Sequence, residues 1–329
     1  MKAFQYAAPR REGEVVELLA DHAGQTAILA GGTDLVPLMK KMIVTPDRVV
    51  SINHVDSLRG ITADSSGVRI GAATTLDDVL DSPQLRDHTA IADAIRGISS
   101  PQLQAQGSLG GELLQRPRCW FFRNGYGLMA ESGRLAAEGD NRFHAIFGNA
   151  GPAKFVCASR VAPALIALGA RVRLVGPGSE DESDMPLEFV YRTPRDAHQH
   201  ETVLLPNQLL THVFVPAVSE WSSATYEVRH GAGPDYPLAA AAVALRIAGG
   251  MIEDARVVLG QVAPTPWTSH VAARELLGRP ANADTAQAAG EAAVSEATPL
   301  ANNRYKVQLA QVAVQRAVLL AAGLETGGF

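Results

Sequence analysis

The stretch that most limits what this chain can become is Thr26 to Lys41, T-A-I-L-A-G-G-T-D-L-V-P-L-M-K-K. Thr26 to Ala30 reads as a short buried strand, Gly31-Gly32 as a tight turn, and Thr33 as the N-cap hydroxyl of a helix running to Lys41. Two adjacent residues without Cβ let the backbone take positive φ and let a ligand come close, while the free N–H groups and dipole of the new helix face the same spot. Such a spot suits a phosphate. Plain turn chemistry also explains a Gly-Gly pair between strand and helix, and both readings stand at this point. There is no G-x-G-x-x-G in this turn and no G-x-x-x-x-G-K-[ST] in the chain, so Rossmann and P-loop readings fit poorly. Asp34 competes with a phosphate for the same dipole, so an anion site here requires its carboxylate to point away.

A chain of 329 residues with 47% apolar content has length for two globular domains. A net charge of −5 and no basic run argue against a nucleic-acid surface and favour small molecules or protein partners. The N-terminal M-K-A-F-Q-Y-A-A-P lacks an apolar signal core, and no stretch approaches eighteen apolar residues. A cytoplasmic protein without a membrane span is the expectation. Two cysteines, Cys119 and Cys157, make neither a disulfide framework nor, by themselves, an iron–sulfur or tetrahedral thiolate site.

The first fifty-odd residues form a small α/β unit: a helix over 11–20, the strand and helix just described, and a strand Arg48 to Ile52. From Asn53 to Pro216 short strands and turns predominate. Val68 to Ala72 is an expected strand, Thr75 an expected cap for the helix Leu76 to Leu80, and Asp87 to Gly97 an amphipathic helix. A second glycine cluster follows at Gln106-Gly107-Ser108-Leu109-Gly110-Gly111; a long ligand with two faces needs two such loops, and a strand-ending turn explains it equally well. Leu113 to Ala150 is the least regular part. Its Arg116, Arg118, Arg123 and Arg142 with Trp120, Phe121, Phe122 and Phe143 make a cationic, aromatic loop of the kind found at interfaces, or a solvated excursion stapled by aromatics. Cys119 and His144 invite a catalytic or metal reading, but no further ligand set accompanies them.

Ser159 opens a helix to Leu168, Ala170 to Val175 is a half-buried strand, Gly176 to Asp184 a solvated acidic loop, and Leu209 to Val215 a closing strand. After a linker near Ser219 to Ser222, strands are expected over 224–229, 238–247 and 252–262, with helix a competitor for the alanine-rich 238–247. Three helices follow: Thr268 to Leu277, one capped by Asp284 and running to Glu296, and Asn302 to Ala322 with Tyr305, Leu309, Val312 and Leu319 on one stripe.

These residues carry a family resemblance over nearly the whole chain. Ala30-Gly31-Gly32-Thr33-Asp34-Leu35 resembles the A-G-G-T-D-L loop, and Ser108-Leu109-Gly110-Gly111 the [ST]-[IVL]-G-G loop, of the FAD-binding medium subunits of molybdenum hydroxylases, the group of xanthine dehydrogenase and carbon monoxide dehydrogenase. Ala162-Pro163-Ala164-Leu165, the run Val257 to Pro266, and Pro299-Leu300 with Asn303 to Val307 resemble later parts of the same proteins. The segments L-L-Q-R-P-R-C-W-F-F-R and G-D-N-R-F-H-A-I-F-G are similar to the branch with an insertion, which includes aldehyde oxidoreductases and hydroxybenzoyl-CoA reductase.

The resemblance implies an α+β fold: a two-subdomain FAD-binding domain of the vanillyl-alcohol oxidase (PCMH) type over 1–218, then a C-terminal domain over 222–329 with a three-stranded antiparallel sheet and helices. Within the first, 1–53 is the small subdomain and 54–218 the larger one, with the insertion at about 113–150. It implies FAD in this chain, a large subunit with a molybdenum cofactor, a small subunit with [2Fe-2S] clusters, and an acceptor such as NAD or oxygen. It implies no catalytic residue and no metal ligand in this chain. Leu29, Ala30, Gly31, Gly32, Thr33, Asp34 and Leu35 are the implied pyrophosphate loop; Ser108, Gly110, Gly111 and Glu112 line the second edge; Thr75, Arg160 and Arg229 are further candidates.

Three departures bear on that assignment. The branch's insertion usually holds a [4Fe-4S] cluster on four cysteines, but only Cys119 lies within it here, so the cluster is expected to be absent. Glu112 stands where asparagine is common, which puts a negative charge near a dianionic cofactor unless it turns outward. Cys157 and Arg160 stand where histidine and aspartate are common, and Arg160 either bonds a phosphate or reports a remodelled site. A subunit that keeps the fold but has lost or weakened FAD binding is therefore the alternative.

Overall fold

Three sheets organise the residues described by a computed structural model, 1–178, 181–231, 233 and 235–327. The first has β1 (Gln5–Ala7), β2 (Thr26–Leu29) and β3 (Arg48–Ser51) in the order β1-β3-β2, both pairings parallel. Parallel neighbours require crossovers, and the helices Glu12–Asp21 and Leu35–Lys40 supply them. The first buries Val15, Val16 and Leu19 against Val50 and Ile52. Strand β1 has only three residues, too few to show a pattern in the sequence. The second helix begins at Leu35 rather than Thr33, and Asp34 stands at its N-cap without capping it, because its carboxylate is bonded elsewhere.

The second sheet is antiparallel throughout, β4 (Ile61–Asp64), β5 (Gly67–Gly71), β6 (Arg171–Val175), β7 (Glu182–Pro186) and β8 (Leu209–Pro216) in the order β4-β5-β8-β6-β7. Strand β7 corrects the acidic-loop expectation for Gly176 to Asp184, of which Ser179 and Glu180 lie outside the described residues. Its Glu182 pairs with Arg173 of β6, which donates Nε at 3.0 Å, and Arg171 donates to the Asp184 carbonyl at 3.3 Å, so a segment whose charge suggests a loop closes a strand pair. The Thr75 hydroxyl caps the helix Leu76–Asp81 by accepting the Asp78 amide at 3.1 Å, and in the turn before the helix Ala162–Ala167 Ser159 accepts the Ala162 amide at 3.0 Å. The second helix therefore starts at Ala162, three residues after Ser159.

The third sheet has four strands, not three: β9 (Ser222–Val228), β10 (Ala239–Ala248), β11 (Met251–Gly260) and the two-residue β12 (Trp267–Thr268), ordered β12-β11-β10-β9. Alanine-rich β10 is a strand because its ladder is satisfied on both edges and both its faces are covered. Ala242 and Ala244 join the core shared with helices Thr89–Gly97 and Ala162–Ala167; Ala239, Ala241 and Leu245 join the core under the C-terminal helices. Small side chains let helices approach from both sides. The last helix, Tyr305–Ala321, likewise packs through Ala310, Ala313, Val314 and Ala317; of the expected stripe Leu319 is in the core and Leu309 packs against it, while Val312 is half-buried and Tyr305 exposed. The preceding helix, Ala283–Ala293, is capped by Asn282, whose side chain accepts the Thr285 amide at 2.9 Å, not by Asp284.

The insertion contains only the short helices Trp120–Arg123 and Arg134–Glu138, and is held by side chains. Asn303 donates to the His144 carbonyl at 3.0 Å, and the buried Lys306 ammonium donates to the carbonyls of Gln261 (2.7 Å), His144 (3.1 Å) and Phe143 (3.3 Å). These bonds tie the insertion to the C-terminal helix across more than 150 residues of sequence. No helix among the described residues is long and apolar enough to cross a membrane.

Candidate functional site

The two glycine loops meet. Gln106 donates its side-chain amide to the Gly31 carbonyl at 3.2 Å, and a Cβ on Gly31 would overlap the Gln106 carbonyl oxygen. Gly110 is equally constrained, since a Cβ there would lie 2.9 Å from that of Ala72. Gly32 takes φ +74, which turns the chain from β2 toward the helix. Glycines at these positions let two backbones touch and leave their outer edges open.

Above the contact lies a cleft of about 350 Å³ lined by Ala30 through Leu35 and by Ser108, Gly110 and Gly111. A second cavity of about 130 Å³ adjoins it through Thr33, Asp34, Ser108 and Gly111, and extends to Glu112, Arg118, Arg160 and Tyr236. Among the described residues, the amides of Gly31, Gly32, Thr33, Asp34, Leu35 and Ser108 find no acceptor within the chain. Unpaired backbone donors on a concave rim form an anion-binding nest.

Asp34 does point away. Its carboxylate accepts the Arg116 amide at 2.8 Å and the Arg123 guanidinium at 2.8 Å, and lies 3.2 Å from that of Arg118. The arginines expected at a surface loop thus turn inward, with Arg116 also paired to the buried Glu201; Arg142 alone stays outside, over Trp120 and Phe143. Across the cleft, Arg160 is buried against Glu227, donating Nε at 2.8 Å, and also bonds the Gly97 carbonyl. Arg229 donates to the same carbonyl at 3.1 Å. Five guanidinium groups, those of Arg116, Arg118, Arg123, Arg160 and Arg229, therefore share the carboxylates of Asp34, Glu201 and Glu227 around the two cavities, and with Glu112 as a fourth carboxyl group the arginines outnumber the acids by one.

Glu112 does not turn outward. One carboxylate oxygen accepts the Arg160 amide at 2.6 Å and the Ser159 hydroxyl at 3.3 Å, and the other accepts from Gln115. Burial pushes its pKa up to about 7, opposed by the Arg160 backbone bond and guanidinium, so the charge it brings at neutral pH is partial. The Cys157 thiol is pushed to about 12 by burial and is inert.

The structure brings Ala30, Gly31, Gly32, Thr33, Asp34, Leu35, Ser108, Gly110, Gly111, Glu112 and Arg160 to the two cavities. Three candidates sit behind the walls. Leu29 lies under Gly32, Thr75 caps its helix beside Ser108, and Arg229 braces Gly97. Sequence reasoning missed Gln106, Gln115, Tyr236 and Glu227, and did not connect Arg116 and Arg118 with the glycine loops. The L-L-Q-R-P-R segment directly after the second loop was the available signal.

Cys119 Sγ lies 3.2 Å from His144 Nε2, but burial raises the thiol pKa and lowers that of the imidazole to about 4, so the pair is neutral. Among the described residues no group of three His, Cys, Asp or Glu side chains could hold a metal ion. The donors around Cys119 do not fit a four-cysteine cluster.

Residues 2–218 match the family described as FAD binding domain in molybdopterin dehydrogenase, and residues 224–321 the CO dehydrogenase flavoprotein C-terminal domain. The aldehyde oxidoreductase FAD-binding subunit PaoB of Escherichia coli is 30% identical, over 94% of this chain and 96% of its own. The carbon monoxide dehydrogenase medium chain of Hydrogenophaga pseudoflava is 28% identical, over 96% of both. A solved structure of carbon monoxide dehydrogenase from the same organism superimposes with a TM-score of 0.77 at 27% identity, covering 97% of each chain.

Proposed function

Because this chain belongs to the FAD-binding medium subunits of the molybdenum hydroxylases, we propose that its paired glycine loops hold the FAD pyrophosphate through the amides of Gly31 to Leu35 and of Ser108. The chain is an oxidoreductase subunit that passes electrons through FAD in a heteromeric complex. A bound flavin supplies the ability to take electrons singly and release them in pairs; the protein supplies position and field.

Each residue has a stated task in this reading. Gly31 and Gly110 let the loops touch, Gly32 makes the turn, and Ala30, Thr33, Leu35 and Gly111 complete the rim. Asp34 binds no phosphate; it anchors the insertion, whose Arg116 and Arg118 line the two cavities. Arg160 serves Glu227 rather than a phosphate, and Glu112 is restrained by the Arg160 amide. Leu29, Thr75 and Arg229 support the walls. The observation that carries the reading is the meeting of six unpartnered amides over one cleft, with Arg116 in its wall.

The same reading divides the chain at 1–218 and 222–329 and gives it a large molybdopterin subunit and a small [2Fe-2S] subunit, with substrate oxidised on the large one. It places the complex in the cytoplasm, with an external acceptor. Titrating FAD into the isolated, flavin-free chain and following quenching of flavin fluorescence tests it. Saturation at one equivalent is expected; no quenching by a chain with native circular dichroism would instead support the alternative, a structural subunit without FAD.

A further inference from the structure

A third cavity, of about 400 Å³, lies where the insertion meets the C-terminal domain. Its walls include the rings of Trp120, Phe143, Phe155 and Tyr236 with Pro237 and Leu238. Phe155 is fully buried and Trp120 packs edge-on to Phe143 with ring centroids 5.4 Å apart, so flat, rigid apolar faces dominate.

The charged groups in this cavity are engaged within the chain except at Arg118 Nε, a buried donor without a partner. The Lys306 ammonium has all three donors on backbone carbonyls, and Arg118 is bound to Asp34 and to the Gln115 side-chain oxygen at 2.8 Å. His230 and Asp235 are exposed. No glycine lines it, so it has no phosphate cradle like that of the other two cavities. A dinucleotide would bring charge here without a partner, which is costly in an apolar site. The Cys119 thiol and His144 imidazole, 3.2 Å apart, leave one neutral polar point among the rings.

The cavity is not isolated from the cofactor cleft. Arg118 and Tyr236 line both it and the 130 Å³ cavity that contains Thr33, Ser108 and Glu112.

We propose that this cavity binds an uncharged, planar aromatic electron acceptor of the quinone class. The size and ring lining suit one flat molecule, the engaged cations disfavour an anion, and the thiol–imidazole pair offers a carbonyl oxygen its polar contact. In the exchange the quinone gains two electrons and two protons and leaves as the hydroquinone; the electrons are those that the chain's electron-transfer role delivers, and the protons come from water. The proposal rests on the FAD reading for its electron source, and the binding itself does not.

Duroquinone is a suitable probe because its fully substituted ring cannot add the Cys119 thiol. In the complex with its partner subunits, reduced anaerobically, flavin reoxidation should saturate with duroquinone. Val156 and Leu238 both line the cavity, and Leu238→Trp and Val156→Phe each fill part of it. Each should slow reoxidation by duroquinone by about tenfold or more, while flavin content and reoxidation by ferricyanide stay unchanged. A rate linear in duroquinone and equal in both variants would overturn the proposal. If the chain holds no flavin, saturable quenching of Trp120 fluorescence by duroquinone, lost in Trp120→Phe, still supports the cavity; absence of quenching overturns it independently of the FAD reading.

Discussion

The Asp34 carboxylate accepts a hydrogen bond from the Arg123 guanidinium at 2.8 Å, across 89 residues of sequence. This bond joins the first glycine loop to the insertion, and it lets an acidic residue stand in a loop proposed to hold a dianion. Its charge is spent on arginines, not on the cleft. Asp34→Asn is expected to destabilise the chain by about 2–3 kcal/mol, because two guanidinium groups lose their carboxylate in a partly buried setting. FAD retention should fall with it. Arg142→Ala, on the outer face, should change neither; thermal unfolding and flavin content after gel filtration check both.

Contact between the loops makes Gly31 intolerant of any side chain. Gly31→Ala should cost about 1–3 kcal/mol by forcing the Gln106 backbone aside, and weaken FAD binding by at least about tenfold. Gly151→Ala is the control, since nothing lies within 4 Å of its Cβ position and its φ is ordinary. Fluorescence titration of both variants measures the difference.

Glu112 gives the site a pH dependence of predictable sign. Its folded pKa, about 7, lies above the ordinary 4.5, so the folded state holds a proton that the unfolded state releases. Stability from this group is full below about 4.5 and is lost as pH rises to about 7. FAD affinity should weaken over the upper part of the same window, as negative charge grows beside the pyrophosphate. Glu112→Gln should flatten both profiles, matching the wild type at pH 5 and exceeding it at pH 8; denaturant melts and FAD titrations across that range decide it.

Arg160 and Glu227 join the FAD side to β9 through a buried, two-point ion pair. Arg160→Met should cost about 3 kcal/mol, since buried Glu227 is left with only the 3.9 Å approach of Arg229. The double variant Arg160→Met/Glu227→Met should recover much of that loss. A double-mutant cycle by chemical denaturation measures the coupling, and simple additivity would contradict the pairing.

Much of this arrangement is legible in the sequence because it is local. The strand, Gly-Gly turn and helix over 26–40 follow from periodicity, and so do most strands and the three C-terminal helices. What was not legible depends on partners distant in the chain. Strand β7 looks like solvated acid until β6 presents its arginines; alanine-rich β10 looks helical until helices cover both faces. The fate of Asp34 could not be read from its own loop, because Arg118 and Arg123 reach it from the insertion. Arg160 was a phosphate candidate only while Glu227 was unseen.

The central claim is that this chain carries the flavin of its complex. The most direct measurement is a visible absorption spectrum with flavin and iron analysis, on the chain purified with its partners and then alone. The account predicts one FAD per chain in both preparations and no iron in the isolated chain. A folded chain without flavin, in a complex that still turns over, would contradict it.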